Sequence, residues 1–130
     1  MSTDRIFIAL SGVFGFLGVA LGAFGAHGLR ARLESLPDFA RRMEWWETAA
    51  RYQLIHALAL GLAAYLATRG EGSAPKIAGG AFVVGILLFS GSLYTMTLTG
   101  MRGLGAVTPL GGVAFLVGWA AVVWAALARP

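Results

Sequence analysis

The sequence predicts an all-α integral membrane protein, with four transmembrane helices in a bundle and an amphipathic interfacial helix between the first two. Hydrophobic residues make up 58% of the 130 residues, and the mean hydropathy is +0.75. Charged residues make up only 12%, which is about half the share usual in soluble domains. The apolar residues form four runs of about 20 residues, each long enough to cross a hydrocarbon core of about 30 Å. We therefore expect one transmembrane domain over residues 1–130.

The first predicted helix covers about residues 6–27 and carries its small residues on one side. At about 100° per residue, one narrow face collects Ser11, Gly15, Gly18, Gly22 and Gly25. Small residues in register let two helix backbones approach closely in lipid. This face predicts either an intrachain groove for a neighbouring helix or a seam for a second copy of the chain, and the motif does not separate the two.

His27 and Gly28 are predicted to end the first helix. Glycine is common just past a helix C-terminus, and a histidine there favours the negative end of the helix dipole. His27 is therefore expected near the membrane interface, at the start of the long loop that covers residues 29–47.

Residues 37–47 are predicted to form an amphipathic helix at the membrane surface, which continues into the second transmembrane helix. Phe39, Met43 and Trp46 share a face at three- and four-residue spacing, and charged residues surround it. Trp45 and Trp46 come at the end of this segment. Tryptophan favours the headgroup level of a membrane, so both are expected to be interfacial.

The second transmembrane helix, about residues 48–68, carries polar side chains into an otherwise apolar span. Arg51 follows Glu47 by four residues, and this ion pair is expected to keep Arg51 charged near the interface. Gln53 and His56 lie deeper and three residues apart, so they share a face. Polar residues inside a membrane helix are costly and usually face the bundle interior or water.

The third and fourth helices, about residues 75–99 and 106–127, add hydroxyl groups at the same end of the bundle. The predicted intramembrane cluster is Gln53, His56, Ser90, Tyr94 and Thr108. Two interpretations are open. These groups either hydrogen-bond to one another and hold the helices in register, or line a small polar pocket in which His56 titrates.

Composition and motif content leave few chemical functions. The chain has no cysteine, its two histidines lie in separate segments, and no metal-ligand spacing occurs. We therefore expect no metal, no cofactor and no catalytic residue. The net charge of +4 comes from residues in short loops beside apolar helices. It predicts contact with anionic lipid headgroups rather than nucleic acid, and weakly favours a cytoplasmic long loop.

Several motifs along the chain resemble one family. They are LGAFGAHGL at residues 21–29, WETAARYQLIHALAL at 46–60, FSGSLY at 89–94, LTG at 98–100, TPLGG at 108–112 and GW at 118–119. In this order they resemble the YgdD-like small inner-membrane proteins, domain-of-unknown-function family 423, whose animal relatives are called transmembrane protein 256. The resemblance covers nearly the whole chain and implies four transmembrane helices in a bacterial inner membrane. It supplies no activity, because the family has none assigned.

Three function hypotheses follow from these observations. The first is a non-enzymatic accessory protein of the lipid bilayer that packs through glycine-rich helix faces against a copy of itself or a larger membrane complex. The second is a small transporter or channel that uses a polar half-pocket around His56. The third, an enzyme acting on lipid or quinone, rests on little more than one histidine and nearby hydroxyls. A continuous polar path would favour the second hypothesis, and a dry, well-packed core would favour the first.

Overall fold

The computed structural model describes residues 1–128, which form four long helices joined by short connections. Helix α1 spans Thr3–Leu33, α2 spans Phe39–Thr68, α3 spans Ala74–Thr99 and α4 spans Thr108–Leu127. A short 3₁₀ segment, Arg102–Ala106, precedes α4. Helix α1 contains a π-helical segment at Gly25–Leu29, and α3 contains another at Ile86–Ser90.

Three of these segments are long and apolar enough to cross a membrane. They are Thr3–Leu33, Ala74–Thr99 and Arg102–Leu127, which contain 18-residue stretches with mean hydropathies of 2.2, 1.9 and 2.1. Helix α2 does not meet the same criterion, because charged residues fill its first turns and polar residues continue into its middle. The predicted all-helical architecture with membrane-spanning helices is confirmed at this level.

Helix α1 does not end at His27 and Gly28, so that prediction is wrong. The helix continues through the π-helical segment to Leu33. Gly28 does not adopt the left-handed conformation of a C-cap glycine, because Gly100 is the single residue within 1–128 that has a positive φ. Two physical reasons favour continuation. The next residues include strong helix formers, and Leu29 is buried in a cluster with Met43 and Trp46, which stabilises the additional turn.

The segment at residues 37–47 continues into the helix that follows it, as the sequence predicts. Residues 39–68 form one unbroken helix of 30 residues, about 45 Å long. The reason lies in the sequence, since neither glycine nor proline occurs between Phe39 and Leu60. This helix begins at Phe39, two residues after the predicted start, and Trp45 and Trp46 lie within it.

The four helices pack as two antiparallel pairs, α1 with α2 and α3 with α4, and α2 lies against α3. The main core consists of small and aromatic residues: Phe7, Ala59, Leu60, Ala63, Ala64, Ala78, Phe82, Ile86, Phe115 and Ala121. A Cβ at Gly111 would overlap the backbone of Phe89, so glycine lets α3 and α4 touch closely. The outer surface carries many exposed apolar side chains, such as Phe16, Leu58 and Leu127, as expected for a surface in lipid.

Candidate functional site

The glycine face of α1 packs against α2 of the same chain. A Cβ at Gly18 would lie 2.8 Å from Leu54 Cδ2, and one at Gly22 would lie 4.0 Å from Ala50 Cβ. A Cβ at Gly25 would overlap the Trp46 indole, whereas the position beside Gly15 is open. Most of this face therefore forms the intrachain groove, one of the two alternatives that the motif left open.

Trp46 fixes the α1–α2 pair from inside the protein. Its Nε1 donates a hydrogen bond of 2.7 Å to the carbonyl of Leu21, and its ring makes an edge contact with Tyr94 at 4.6 Å between centroids. The side chain is only 3% exposed. Trp46 therefore faces the protein interior rather than the headgroups, while Trp45 is half-buried and His27 is exposed.

Gln53 connects three helices. Its Nε2 donates to the carbonyl of Phe14 in α1 at 2.9 Å, and its Oε1 accepts a bond of 2.7 Å from the hydroxyl of Tyr94 in α3. The side chain is buried, and both ends of the amide have a partner. Gln53 and Tyr94, two members of the predicted cluster, thus lie together and hold α1, α2 and α3 in contact.

The remaining predicted hydroxyls do not join that pair. Ser90 donates to the carbonyl of Ala49 at 2.8 Å, which ties α3 to α2. Thr108 shares a hydrogen bond of 2.6 Å with Ser92, which ties α4 to α3. The five residues predicted as one cluster, of which His56 is the last, therefore do not form one network. They form separate links between helices.

His56 is held by a different set of residues from those expected. Its Nδ1 lies 2.7 Å from the carbonyl of Tyr52, and the Nε1 of Trp119 donates to its Nε2 at 3.1 Å. Since Trp119 can only donate, Nε2 must be the acceptor and Nδ1 carries the proton. The geometry fits a neutral ring, because a second proton would place two donors against each other.

Aromatic rings enclose His56. The ring of Phe115 stacks on it with 3.5 Å between centroids and 7° between planes, and Phe82 lies at 5.6 Å. Tyr52, one turn earlier on α2, stacks with its ring centroid 6.1 Å from that of His56. Sequence reasoning missed these residues and Trp119 as partners. One signal was available, because Tyr52 with His56 and Phe115 with Trp119 each recur at four-residue spacing.

A groove of about 500 Å³ opens beside this histidine on the outer surface. We call it the His56 groove, and its lining residues are Arg51, Tyr52, Ile55, His56, Phe89, Gly112, Phe115, Leu116 and Trp119. Ile55 and Leu116 are 44% and 69% exposed, so the groove opens sideways between α2 and α4. Its walls are mainly apolar.

Arg51 is the charged residue of this groove, and its expected pair with Glu47 is wrong. Both side chains are exposed, and the ion pair found within residues 1–128 joins Arg42 to Asp38 instead. A single exposed pair on a helix surface contributes little and does not hold two flexible side chains together.

Arg42 forms a polar link that the sequence did not indicate. Its Nε contacts both carboxylate oxygens of Asp38 at 3.0 Å, and its Nη1 donates to the carbonyl of Thr97 at 3.2 Å. The hydroxyl of Thr97 donates back to the Arg42 carbonyl at 3.1 Å. The Arg42 hydrogen bond lowers the pKa of Asp38 below its ordinary value. This link ties the start of α2 to the end of α3.

Residues 1–128 contain no group of three or more histidine, aspartate or glutamate side chains that could hold a metal ion. The buried polar groups described above are engaged with each other or with backbone carbonyls. As arranged, they can orient helices, and the His56 groove can accept an apolar group from the side.

Sequence comparisons place these features in a set of similar proteins. The family described as "Protein of unknown function (DUF423)" matches residues 21–112. The chain is 44% identical over 124 residues to the UPF0382 membrane protein YwdK of Bacillus subtilis (strain 168), covering 95% of this chain and 97% of that one. It is 40% identical over 130 residues to the UPF0382 inner membrane protein YgdD of Escherichia coli (strain K12), covering 96% and 92%. No solved structure matches the chain.

Proposed function

Since this chain belongs to the DUF423 family of membrane proteins, we propose that it is a non-enzymatic, four-span accessory protein that binds other membrane components through its lateral surface. The localisation in a bacterial inner membrane agrees with its relatives. The glycine-rich face of α1 serves packing within the chain, so the outward face of α2 and α4 is the binding surface in this proposal.

The proposal of a fourth span rests on the packing of α2 along the length of α1. The contacts run in antiparallel order, from Gly25 against Trp46, through Gly18 against Leu54, to Ser11, whose hydroxyl donates to the carbonyl of Ala57. These contacts extend from residue 11 to residue 25 of α1, about 21 Å of helix. If α1 crosses the bilayer, α2 must cross beside it. Its polar side chains are then shielded from lipid by the neighbouring helices.

The observation that carries the accessory role is the closed interior. Within residues 1–128, every buried side-chain nitrogen and oxygen atom has a hydrogen-bond partner, and these partners are groups of the protein itself. A conduction path needs polar groups that can exchange their partners for water or an ion. Fully paired groups instead hold the helices in one arrangement, which supports a scaffold.

The alternative is a small transporter or channel with a polar half-pocket around His56. One observation favours it, because His56 lines an open groove. Against it, both ring nitrogens are engaged, and the groove opens toward the side of the bundle rather than along its axis.

A flux measurement separates these two functions. Purified protein is reconstituted into liposomes that contain a pH-sensitive dye, and proton flux is followed after a pH step. We expect the same rate as in empty liposomes. A rate that rises with protein content and returns to the empty value in His56→Gln would favour transport and overturn the accessory role.

A crosslinking measurement tests the binding surface directly. A photoreactive amino acid is placed at Leu116, at the mouth of the His56 groove, and at Phe16 on α1 as an equally exposed control. In native membranes we expect discrete adducts at Leu116 and none at Phe16. An adduct of twice the chain mass would identify a second copy as the partner, whereas equal, diffuse labelling at both sites would contradict a binding surface on α2 and α4.

A further inference from the structure

We propose that the His56 groove binds one anionic phospholipid, with its phosphate at Arg51 and one acyl chain along Phe115 and Trp119. This inference rests on the proposed lateral binding surface and specifies its ligand. The lipid would come from the leaflet on the side of the α1–α2 connection, since Arg51 lies at the end of the groove nearest that side.

The headgroup end of the groove carries an available positive charge. The Arg51 side chain is exposed, and residues 1–128 contain no ion pair that engages it. Arg51 lies six residues, about 9 Å, beyond Trp45 along α2. A guanidinium binds phosphate oxygens in a fork and loses less hydration than an ammonium group does. The charge and its position therefore fit a phosphate just below the membrane surface.

The tail end of the groove fits a hydrocarbon chain. Beyond Arg51 the walls are Ile55, Phe115, Leu116 and Trp119. A Cβ at Gly112, one turn before Phe115 on α4, would have no neighbour within 4 Å, so the groove is also open toward the Arg51 end. A volume of about 500 Å³ falls within the range of sites that bind small molecules.

The ring nitrogens of His56 and Trp119 in the groove are not available to a ligand. The Nε1 of Trp119 is used by His56, and the Nδ1 of His56 is used by the carbonyl of Tyr52. A ligand that is polar along its whole length would lose its hydration without gaining partners. A phospholipid combines a negative phosphate at one end with an apolar chain at the other, which matches the groove.

Native mass spectrometry of the full chain in mild detergent tests this proposal. The probes are dioleoyl phosphatidylglycerol, which is anionic, and dioleoyl phosphatidylcholine, which is zwitterionic with the same chains. We expect one phosphatidylglycerol to bind in preference to phosphatidylcholine. Arg51→Gln should reduce this preference on the order of fivefold, the effect of one basic residue near anionic lipid. Arg41→Gln, an exposed arginine toward the same membrane face, should leave it unchanged.

Filling the groove provides the second arm. Gly112→Leu should abolish the one-to-one complex with either lipid. Gly80→Leu is the matched control, because a Cβ at Gly80 also meets nothing within 4 Å but Gly80 is not part of the groove lining. If Gly112→Leu does not fold, Ile55→Trp narrows the same groove from the α2 side and should weaken the complex.

Three outcomes would overturn the lipid proposal. Equal losses in Arg51→Gln and Arg41→Gln would mean that lipid responds to the basic surface in general. Retention of the bound lipid in folded Gly112→Leu would place the lipid elsewhere. Loss of a co-purifying protein in Gly112→Leu, with lipid binding intact, would make the groove a protein contact. None of these outcomes changes the flux result, so the accessory role is judged separately.

Discussion

At the scale of single residues, the histidine is the centre of this molecule's polar chemistry. Its two nitrogens have opposite hydrogen-bonding roles. Nε2 accepts a hydrogen bond from Trp119, and Nδ1 donates one to the carbonyl of Tyr52. The Phe115 ring covers one face of the imidazole. One tautomer of the neutral ring satisfies all of these contacts, and the alternatives leave a buried group unpaired, which is costly.

Trp119→Phe tests this arrangement. The change leaves Nε2 of His56 without a donor, so we expect a loss of about 1 kcal/mol in the free energy of unfolding. It should also shift the ¹⁵N resonance of Nε2, which loses its hydrogen bond, while the carbonyl of Tyr52 keeps the proton on Nδ1. Trp124→Phe changes the same residue type one turn and a half further along α4 and should leave the Nε2 resonance unchanged. A mixture of tautomers in the unaltered protein would contradict the assigned hydrogen bonds.

The Asp38–Arg42 pair predicts a small dependence of stability on pH. Because the folded state lowers the pKa of Asp38, chiefly through the Arg42 hydrogen bond, the pair stabilises the fold above the unfolded value of about 3.9. This contribution is lost as the pH falls through the folded value. Asp38→Asn should therefore be slightly less stable than the unaltered chain at pH 6, and this difference should shrink as the pH is lowered, measured by denaturant unfolding in detergent.

The double variant Asp38→Asn with Arg42→Gln is the control for that pair. If the two residues act through each other, Asp38→Asn should add nothing once Arg42 is replaced. A pH-dependent difference that persists in the Arg42→Gln background would show that Asp38 acts through another group.

At the scale of elements, the small residues of α1 leave a groove, and side chains of α2 fill it. Gly18 lies beneath Leu54, and Gly25 lies beneath Trp46. Packing of small residues against larger ones replaces the hydrophobic drive that helices lack in lipid. The stability of this pair therefore depends on the absence of side chains at particular turns of α1.

Gly18→Leu should disrupt this pair. Its side chain would collide with Leu54, and overpacking of this kind typically costs 1–3 kcal/mol, to which helix propensity adds an opposing contribution of less than about 1 kcal/mol. Gly12→Leu has the same propensity change and no neighbour within 4 Å. We expect a lower thermal midpoint for Gly18→Leu alone, with the oligomeric state unchanged on native gels. Equal midpoints for the two variants would show that the groove does not bear on stability.

The sequence predicts the helices better than it predicts their ends and partners. Apolar runs reveal the spans because the bilayer sets their length. The end of α1 was misplaced because Gly28 accepts helical geometry as readily as a turn, and burial of Leu29 decides between them. Gln53 and His56 stand out as polar residues in an apolar helix, but Trp119 as a partner depends on the rotation of α4, which a uniformly apolar segment does not encode.

At the scale of the whole molecule, hydrogen bonds join the two helix pairs to each other. They connect Tyr94 to Gln53, Ser90 to Ala49, Thr97 to Arg42, and Trp119 to His56. Each bond crosses from the α3–α4 pair to the α1–α2 pair. These links are spread along α2, so they fix both the rotation and the height of one pair relative to the other.

The four spans proposed for this chain require both of its ends to lie on one side of the membrane. Reporter fusions at the two termini should therefore give the same location, and a reporter inserted at residue 35 should give the opposite one. Termini on opposite sides would remove α2 from the set of spans and overturn the packing argument that makes it cross beside α1.

The exposed turn at residues 69–73 has a consequence for how the protein is made. A Cβ added at Gly70 or Gly72 in this turn would meet nothing within 4 Å, and the hydrogen bonds described above between the halves join helices. If α2 crosses the membrane as proposed, each half is a hairpin that the insertion machinery can place in the bilayer by itself, and docking can follow within the membrane plane. Two separately expressed fragments, divided within this turn, should therefore find each other in the cell and co-purify as one complex. Their recovery should fall when Gln53 is replaced, since the recognition is carried by side chains and not by the covalent connection.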